Sequence, residues 1–380
     1  MMTMNNIETW TTQDAAQWQQ ALDRCAPYDF YHLPEYHVVE EESGEGTAHL
    51  LVYEEGGFTI ALPLLVRDLE ANWKDATSVY GYAGPVCSHA ILPEAVVRNF
   101  QSALTRKLRE FGVVTVFSRL HPWLTQRNLL EGLGDFQTTR TVSIDLTRDP
   151  ALQRSQYRKA YKEGINRLRR LGLTVVHDVE GRHLDDFMGI YHETMLRVEA
   201  REQYFFPDAY FHRFWEALGS RAHLFVCHHQ GRALCAGLFV TCHGIIQYHL
   251  GGTLNDALKL APMKLLVDDV RLWGNQQGHR AFHLGGGTTA DPADSLLHYK
   301  LGFSDTTHEF ATWRWTLLQD VHDRLCEAKR QWNESHQLRI ADASFFPAYR
   351  SPTIPCDLIT HSLIAAEVLE SSGSSTGELP

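Results

Sequence analysis

Two strand-like runs, Ala48–Glu54 and Phe58–Val66, flank Gly56-Gly57. This predicts a β-hairpin, because both turn positions of the favoured two-residue loop need positive φ. A second pair, Leu224–His228 and Ala233–Cys242, flanks His229-Gln230-Gly231-Arg232 in the same way. Each hairpin leads to a short strand ending in glycines: Val79–Pro85 after the first, Ile245–Leu250 with Gly251-Gly252 after the second. A helix opened by proline follows in each case, Pro93 to Phe111 and Pro262 to about Gln277, the latter closed by Gly278. A buried strand then ends each unit, at Val113–Phe117 and Ala281–Leu284. Hairpin, glycine-tipped strand, helix and strand therefore occur twice. The pattern predicts an α/β (α+β) chain of two tandem halves, each a mixed twisted sheet flanked by helices. The expected first half is residues 1–150 and the second is 151–320. A C-terminal helix and extension occupy 321–365, and a Ser-, Gly- and Glu-rich tail, 366–380, is expected to be disordered.

Further helices are predicted at Asp185–Val198 and Pro207–Leu218, and from Leu318 to about Leu338. At the seam between the halves, Tyr157, Tyr161, Ile165, Leu168 and Leu171 recur at helical spacing within Gln153–Leu171. Arg154, Arg158, Lys159, Lys162, Arg167, Arg169 and Arg170 crowd the other face. One amphipathic helix with a basic side is the expectation. Such a face is either simply solvated or turned toward a phosphate-bearing partner.

Composition changes this picture little. The 380 residues are 44% hydrophobic and 21% charged, the balance of a globular chain with a sizeable core. A net charge of −11 opposes coating DNA through bulk electrostatics, so any nucleic-acid contact must be local. No apolar run has the length of a bilayer span, and Met1–Trp10 lacks the features of a signal peptide. Seven cysteines without C-x-x-C spacing fit reduced thiols, so a cytoplasmic location is expected, with peripheral membrane contact left open.

Candidate chemistry gathers in the second half. Tyr248-His249-Leu250-Gly251-Gly252-Thr253 returns as Phe282-His283-Leu284-Gly285-Gly286-Gly287-Thr288. Two parallel strand ends side by side mark the ligand-binding end of an open α/β sheet. Gly251, Gly252, Gly285, Gly286 and Gly287 are expected to line the donor cleft, since a residue without Cβ admits close approach. The segment Asp294–Phe303 reads as a short helix ending in a Gly-Phe turn, which brings Lys300 toward the cleft. An ammonium there can stabilise an oxyanion on a carbonyl, whereas the plainer reading is a surface lysine beside core aromatics. His249 and His283 are candidate general bases, with a structural role as the competing reading, and Asp294 is a further candidate proton acceptor. Arg197 and Tyr204 stand in an Arg- and Tyr-rich stretch suited to planar or anionic groups. No metal is expected: Cys227, His228, His229, Cys235, Cys242 and His243 lack zinc-site spacing. Signatures of a P-loop, a Rossmann dinucleotide site and a serine nucleophile elbow are missing.

Across Tyr31 to Thr316 the chain resembles the GNAT acyltransferase fold, and more closely its Fem-type branch of peptidyl and aminoacyl transferases. The resemblance lies in Tyr31–Tyr36, Ala76–Pro85, the basic helix, Thr194–Tyr204, Phe282–Gly287 and Asp294–Phe303, in that order. It implies two tandem GNAT-like halves and amide-bond formation, by attack of an amine on an activated acyl carbonyl. It further implies that Tyr299-Lys300 matches the family's aromatic-lysine pair, with Lys300 on the tetrahedral intermediate and Tyr299 packing the donor. Where GNAT enzymes cradle coenzyme A on a Gly-rich loop, this chain reads Leu258–Lys264 with Pro262 and no glycine. His298 stands where many GNATs place a tyrosine acid. Both departures favour a donor other than coenzyme A; aminoacyl-tRNA is the donor expected, with no permanently bound cofactor, and acyl-CoA is the alternative, for instance in polysaccharide or lipid modification. The acceptor implied is an amine on a cell-envelope precursor or a small natural product. Arg158, Lys159 and Arg197 are then candidate contacts to the tRNA acceptor end or to the acceptor. A binding module that keeps the fold without turnover is a third reading.

Overall fold

Both turn glycines of the first hairpin adopt positive φ, 57° at Gly56 and 86° at Gly57, and align Thr47↔Val66 through Glu55↔Phe58. The computed structural model describes residues 6–356 except 125, 126, 290 and 292, so the tail predicted at 366–380 lies outside the described residues. The first half runs through β1 (Glu8–Trp10), α1 (Ala15–Arg24), α2 (Pro34–Glu42), β2 (Thr47–Glu55), β3 (Phe58–Asp68) and β4 (Lys74–Thr77). It continues with β5 (Val86–Cys87), α3 (Glu94–Glu110), β6 (Val113–Arg119) and β7 (Asp135–Asp145). The second comprises α4 (Pro150–Ser155), α5 (Lys159–Arg170), β8 (Thr174–Asp178), α6 (Leu184–Arg197), α7 (Asp208–Leu218), β9 (Ala222–His229) and β10 (Arg232–Cys242). After these come β11 (Ile245–Thr253), α8 (Met263–Gln276), β12 (Ala281–Gly286), α9 (Ser295–Lys300) and β13 (Thr307–Thr316).

Residues up to Trp315 make one compact unit. Its strands form a single sheet in the order β1-β2-β3-β4-β6-β13-β7-β12-β11-β10-β9-β8, with β5 beside β3. The halves interleave: β13, from the second, sits between β6 and β7 of the first, and β7 pairs antiparallel with β12. The sheet is mixed, with β4–β6 and β11–β12 parallel and the hairpins antiparallel. Alternation along β10 feeds two cores, Leu238 into one and Phe239 into the other. The first core unites Trp18, Tyr36 and Leu50 with Phe187, Phe214 and Leu250, so both halves share it. The second packs α5, α8 and α9 on the sheet through Ile165, Leu266 and Leu297. From Thr316 onward a separate unit holds α10 (Gln319–Ser335) and a hairpin of β14 (Leu338–Ile340) with β15 (Thr353–Pro355).

Two expectations need correction. The basic segment is two helices, because Arg158 takes up extended backbone (ψ 141°) and gives its N–H to Gly302 O. Val79–Pro85 is not a strand. The β4–β6 ladder ends at Thr77↔Phe117 and returns only as an isolated bridge, Ala83↔Leu120. Side chains take over the backbone groups between: Tyr36 Oη donates to Tyr80 O (2.8 Å), and Tyr80 N–H reaches Glu40 (3.4 Å).

Candidate active site

Parallel pairing of β11 with β12 lasts for only three partners, Ile245↔Ala281, Ile246↔Phe282 and Gln247↔His283. Beyond them β11 stays with β10 as far as Cys235↔Thr253, and β12 stays with β7 through a bulge to Gly286↔Thr141. The two strands therefore part at their carboxyl ends and leave a wedge where an open α/β sheet takes its ligand. A buried chain fixes its inner end. His283 Nδ1 donates to Gln247 Oε1 (2.6 Å), and Gln247 Nε2 donates to Asp29 Oδ2 (2.6 Å). His121 Nε2 is 2.9 Å from the same oxygen and donates to it, because its Nδ1 accepts from Trp123 and Leu124 N–H.

Lys300 reaches the wedge from α9. Asp294 caps that helix, accepting from Leu297 N–H (2.9 Å), and Lys300 Nζ donates to Gly286 O (2.6 Å). Burial lowers the ammonium from 10.5 to about 7, and Asp294 offsets only part of this. Across from it, Tyr82 Oη accepts from Gly286 N–H (3.1 Å). Gly285, at φ 78°, exposes its bare face to both: a Cβ there would lie 3.1 Å from Lys300 Nζ and 3.3 Å from Tyr82 Oη. Tyr82 was not among the residues singled out from sequence. It belongs to the first half, and nothing in local spacing shows that its loop crosses to the second.

The remaining expected residues have other surroundings. Gly252 lets β11 lie against α6, where a Cβ would meet Ile190 O at 2.8 Å. A Cβ on Gly251 would meet the Tyr248 ring, on Gly287 the Asp294 carboxylate, and on Gly286 Arg140 O at 2.9 Å. Of the five glycines, Gly285 is thus the one whose bare face meets the polar atoms of the wedge. Asp294 is a structural anchor rather than a base. Burial would raise its pKa, but hydrogen bonds from Leu297, Thr288 and Thr289 hold it at about 2. His249 fits a proton acceptor no better. It stacks on Phe214 (4.7 Å), both nitrogens are unpaired, and burial lowers it to about 3. Tyr299 faces the second core against Tyr161 and Phe303 instead of lining the wedge.

His298 lies exposed at the end of α9, its Nε2 accepting from Arg158 Nη1 (2.6 Å). Arg197 fastens the end of β11, donating to Thr253 O (2.8 Å) and Asn255 Oδ1 (2.6 Å). Lys159 is solvent-exposed, and Tyr204 packs edge-on against Tyr80. The basic residues of α4 and α5 are partly spent within the fold: Arg154 of α4 and Arg169 of α5 both pair with buried Asp268 of α8, which Arg271 also holds.

The α8 N-terminus borders the wedge. Pro262 has no N–H, and those of Lys264 and Leu265 turn back to Ala261 O (3.2 Å) and Pro262 O (2.9 Å). Lys264 Nζ sits over the Tyr161 ring (4.2 Å).

Residues 155–301 match the family model described as the acetyltransferase (GNAT) domain. That segment is a GNAT acyltransferase domain. Among solved structures, FemX is similar over 83% of this chain and 99% of its own, at TM-score 0.63 and 12% identity. L-PGS from Bacillus licheniformis is similar over 79% and 91%, at TM-score 0.51 and 15% identity. The C-terminal domain of a protein described as a lysylphosphatidylglycerol synthetase, from Agrobacterium fabrum, matches over 79% and 92%, at 0.53 and 14%. These likenesses show the fold of the acyltransferase, and they bear out the Fem-type resemblance at that level. No sequence among the curated proteins matches it.

Proposed function

We propose that this acyltransferase moves an aminoacyl group from aminoacyl-tRNA to an amine acceptor, and that Lys300 holds the oxyanion of the tetrahedral intermediate. The observation that carries the choice of donor is the start of α8. A coenzyme A pyrophosphate needs free N–H groups there. Pro262 offers none, and the N–H groups of Ala261, Lys264 and Leu265 already have carbonyl partners. Aminoacyl-tRNA presents separate phosphates, which cationic side chains can meet one by one. Exposed Arg167 and Arg170 of α5, with Lys264 nearby on α8, supply such charges on a chain of net charge −11. The fold shared with a lysylphosphatidylglycerol synthetase, a name that denotes an aminoacyl-bearing product, agrees with this donor. The acceptor is an amine on a cell-envelope precursor or small natural product, met from solution or at a membrane surface. Among the described residues no helix is long and apolar enough to cross a membrane.

The test supplies two labelled donors separately, a charged tRNA pool and acetyl-CoA, with a panel of primary amines. Enzyme-dependent amide formation that is lost on RNase treatment and weakens steeply with salt is the expected result. RNase-insensitive transfer from acetyl-CoA would replace this reading with the coenzyme A one. Ligand binding without turnover of either donor would make the chain a binding module.

A further inference from the structure

We infer that Tyr82, contributed by the first half, is a catalytic residue that completes an oxyanion hole with Lys300 on the bare face of Gly285. An oxyanion hole requires donors about 2.7–3.1 Å from the position the developing oxyanion will occupy. One site can meet that requirement: the space off the bare face of Gly285, because Lys300 Nζ and Tyr82 Oη lie 3.1 Å and 3.3 Å from the place its Cβ would take and so flank one oxygen seated beyond that face. It lies where β11 and β12 have just separated, beside Gly286.

The hydrogen bonding around this point sets the direction of each donor. Tyr82 Oη accepts the N–H of Gly286 (3.1 Å), so its own proton is free to be donated elsewhere. Lys300 gives one proton to Gly286 O (2.6 Å) and keeps two for another acceptor. The Tyr82 ring is held edge-on by Tyr31 (5.8 Å), His283 (5.0 Å) and Phe310 (5.0 Å), which fixes where its hydroxyl points before any substrate arrives. Such preorganisation is what makes a donor effective in a water-poor site.

In the reaction the amine nitrogen bonds to the acyl carbon, and the carbonyl π pair moves onto oxygen between Lys300 and Tyr82. When that pair returns, the bond from carbon to the leaving group breaks. The proton shed by nitrogen ends on the leaving group, so the products are an amide and the freed donor. The inference requires acyl transfer in this wedge but is independent of the donor's identity. It also explains why the second half needs the first: the Val79–Pro85 loop spans the first half's own β4–β6 separation and lends its tyrosine across the sheet.

Tyr82→Phe keeps the ring and removes only the hydroxyl. With whichever donor turns over, its kcat should fall about 10²–10³-fold with KM little changed. Combined with Lys300→Met, the loss should be far from the product of the single losses, because both groups serve one oxygen. Loss of a merely structural hydroxyl would instead lower thermal stability and raise KM. A donor-free probe keeps the two readings apart: methylphosphonate, a tetrahedral anion, titrated by ³¹P NMR. Wild-type protein should bind it, and each single variant should weaken binding at least about tenfold. Absence of binding to the wild type, or equal binding to wild type and Tyr82→Phe, would overturn the oxyanion hole even if aminoacyl transfer is observed. Selective binding with no turnover of charged tRNA would leave the hole standing and remove the donor proposal.

Discussion

Replacing Lys300 by methionine separates what this side chain costs the fold from what it gives the reaction. The ammonium is held at about 7 in the folded protein against 10.5 for an ordinary lysine, with desolvation as the cause. A depressed lysine binds fewer protons folded than unfolded, so its penalty is full below about pH 7 and fades as pH rises toward 10.5. At about 1.4 kcal/mol per unit the shift corresponds to a ceiling of roughly 5 kcal/mol. Partial solvent contact and the lost bond to Gly286 O reduce the net gain for methionine to about 1–3 kcal/mol at neutral pH. Urea melts at pH 6, 7 and 9 should show the variant more stable than wild type, with the gap closing as pH rises. Transfer to methoxyamine, an acceptor uncharged at neutral pH, should fall about 10²–10³-fold in the variant. The wild-type rate should decline above pH 7 as the ammonium is lost. A wild-type rate that climbs from pH 7 to 9 would refute the oxyanion role, since it would mark the neutral amine as the active form. A variant no more stable at pH 7 would refute the account of burial.

Asp268→Asn should destabilise the protein by about 3–5 kcal/mol in denaturant unfolding, because Arg154, Arg169 and Arg271 would all lose one fully buried carboxylate. Gly252→Ala should cost about 1–3 kcal/mol, since its Cβ would press on Ile190 O at 2.8 Å and Thr194 Oγ1 at 2.7 Å. His249→Phe should retain activity and gain about 1 kcal/mol, because two unpaired buried nitrogens disappear while stacking on Phe214 persists. Its pH dependence provides a second readout. His249 falls from 6.5 to about 3 on folding, so the wild type loses stability as pH drops through that window, and the variant should lose less.

The repeated unit was readable because its signals are local. Gly56-Gly57 and Gln230-Gly231 adopt the positive φ their turns demand, and α3 and α8 begin directly after Pro93 and Pro262. Lys300 was legible through the order of motifs around the Gly-Phe turn. What escaped is nonlocal. The exchange of β13 and β7 between halves leaves no trace in periodicity, because pairing partners lie far apart in the chain. Val79–Pro85 has strand composition, yet Tyr36 and Glu40 take the backbone groups a neighbouring strand would need. Gly251 and Gly252 share the phrase of Gly285 and Gly286, but side-chain and helix packing, invisible in one dimension, gives them different work. The basic helix looked wholly free for a partner because Asp268, which takes up two of its arginines, lies on another helix.

The position of β13 has a consequence for synthesis. Both edges of β7 are closed by strands made much later, β12 on one side and β13 on the other, and β6 also waits for β13. The ribosome therefore releases the first half with bare strand edges, which invite pairing with another nascent chain. Only after Thr307–Arg314 emerge can the sheet close. Splitting the gene near residue 150 would then give two insoluble pieces that recover together when co-expressed, rather than a minimal catalytic domain.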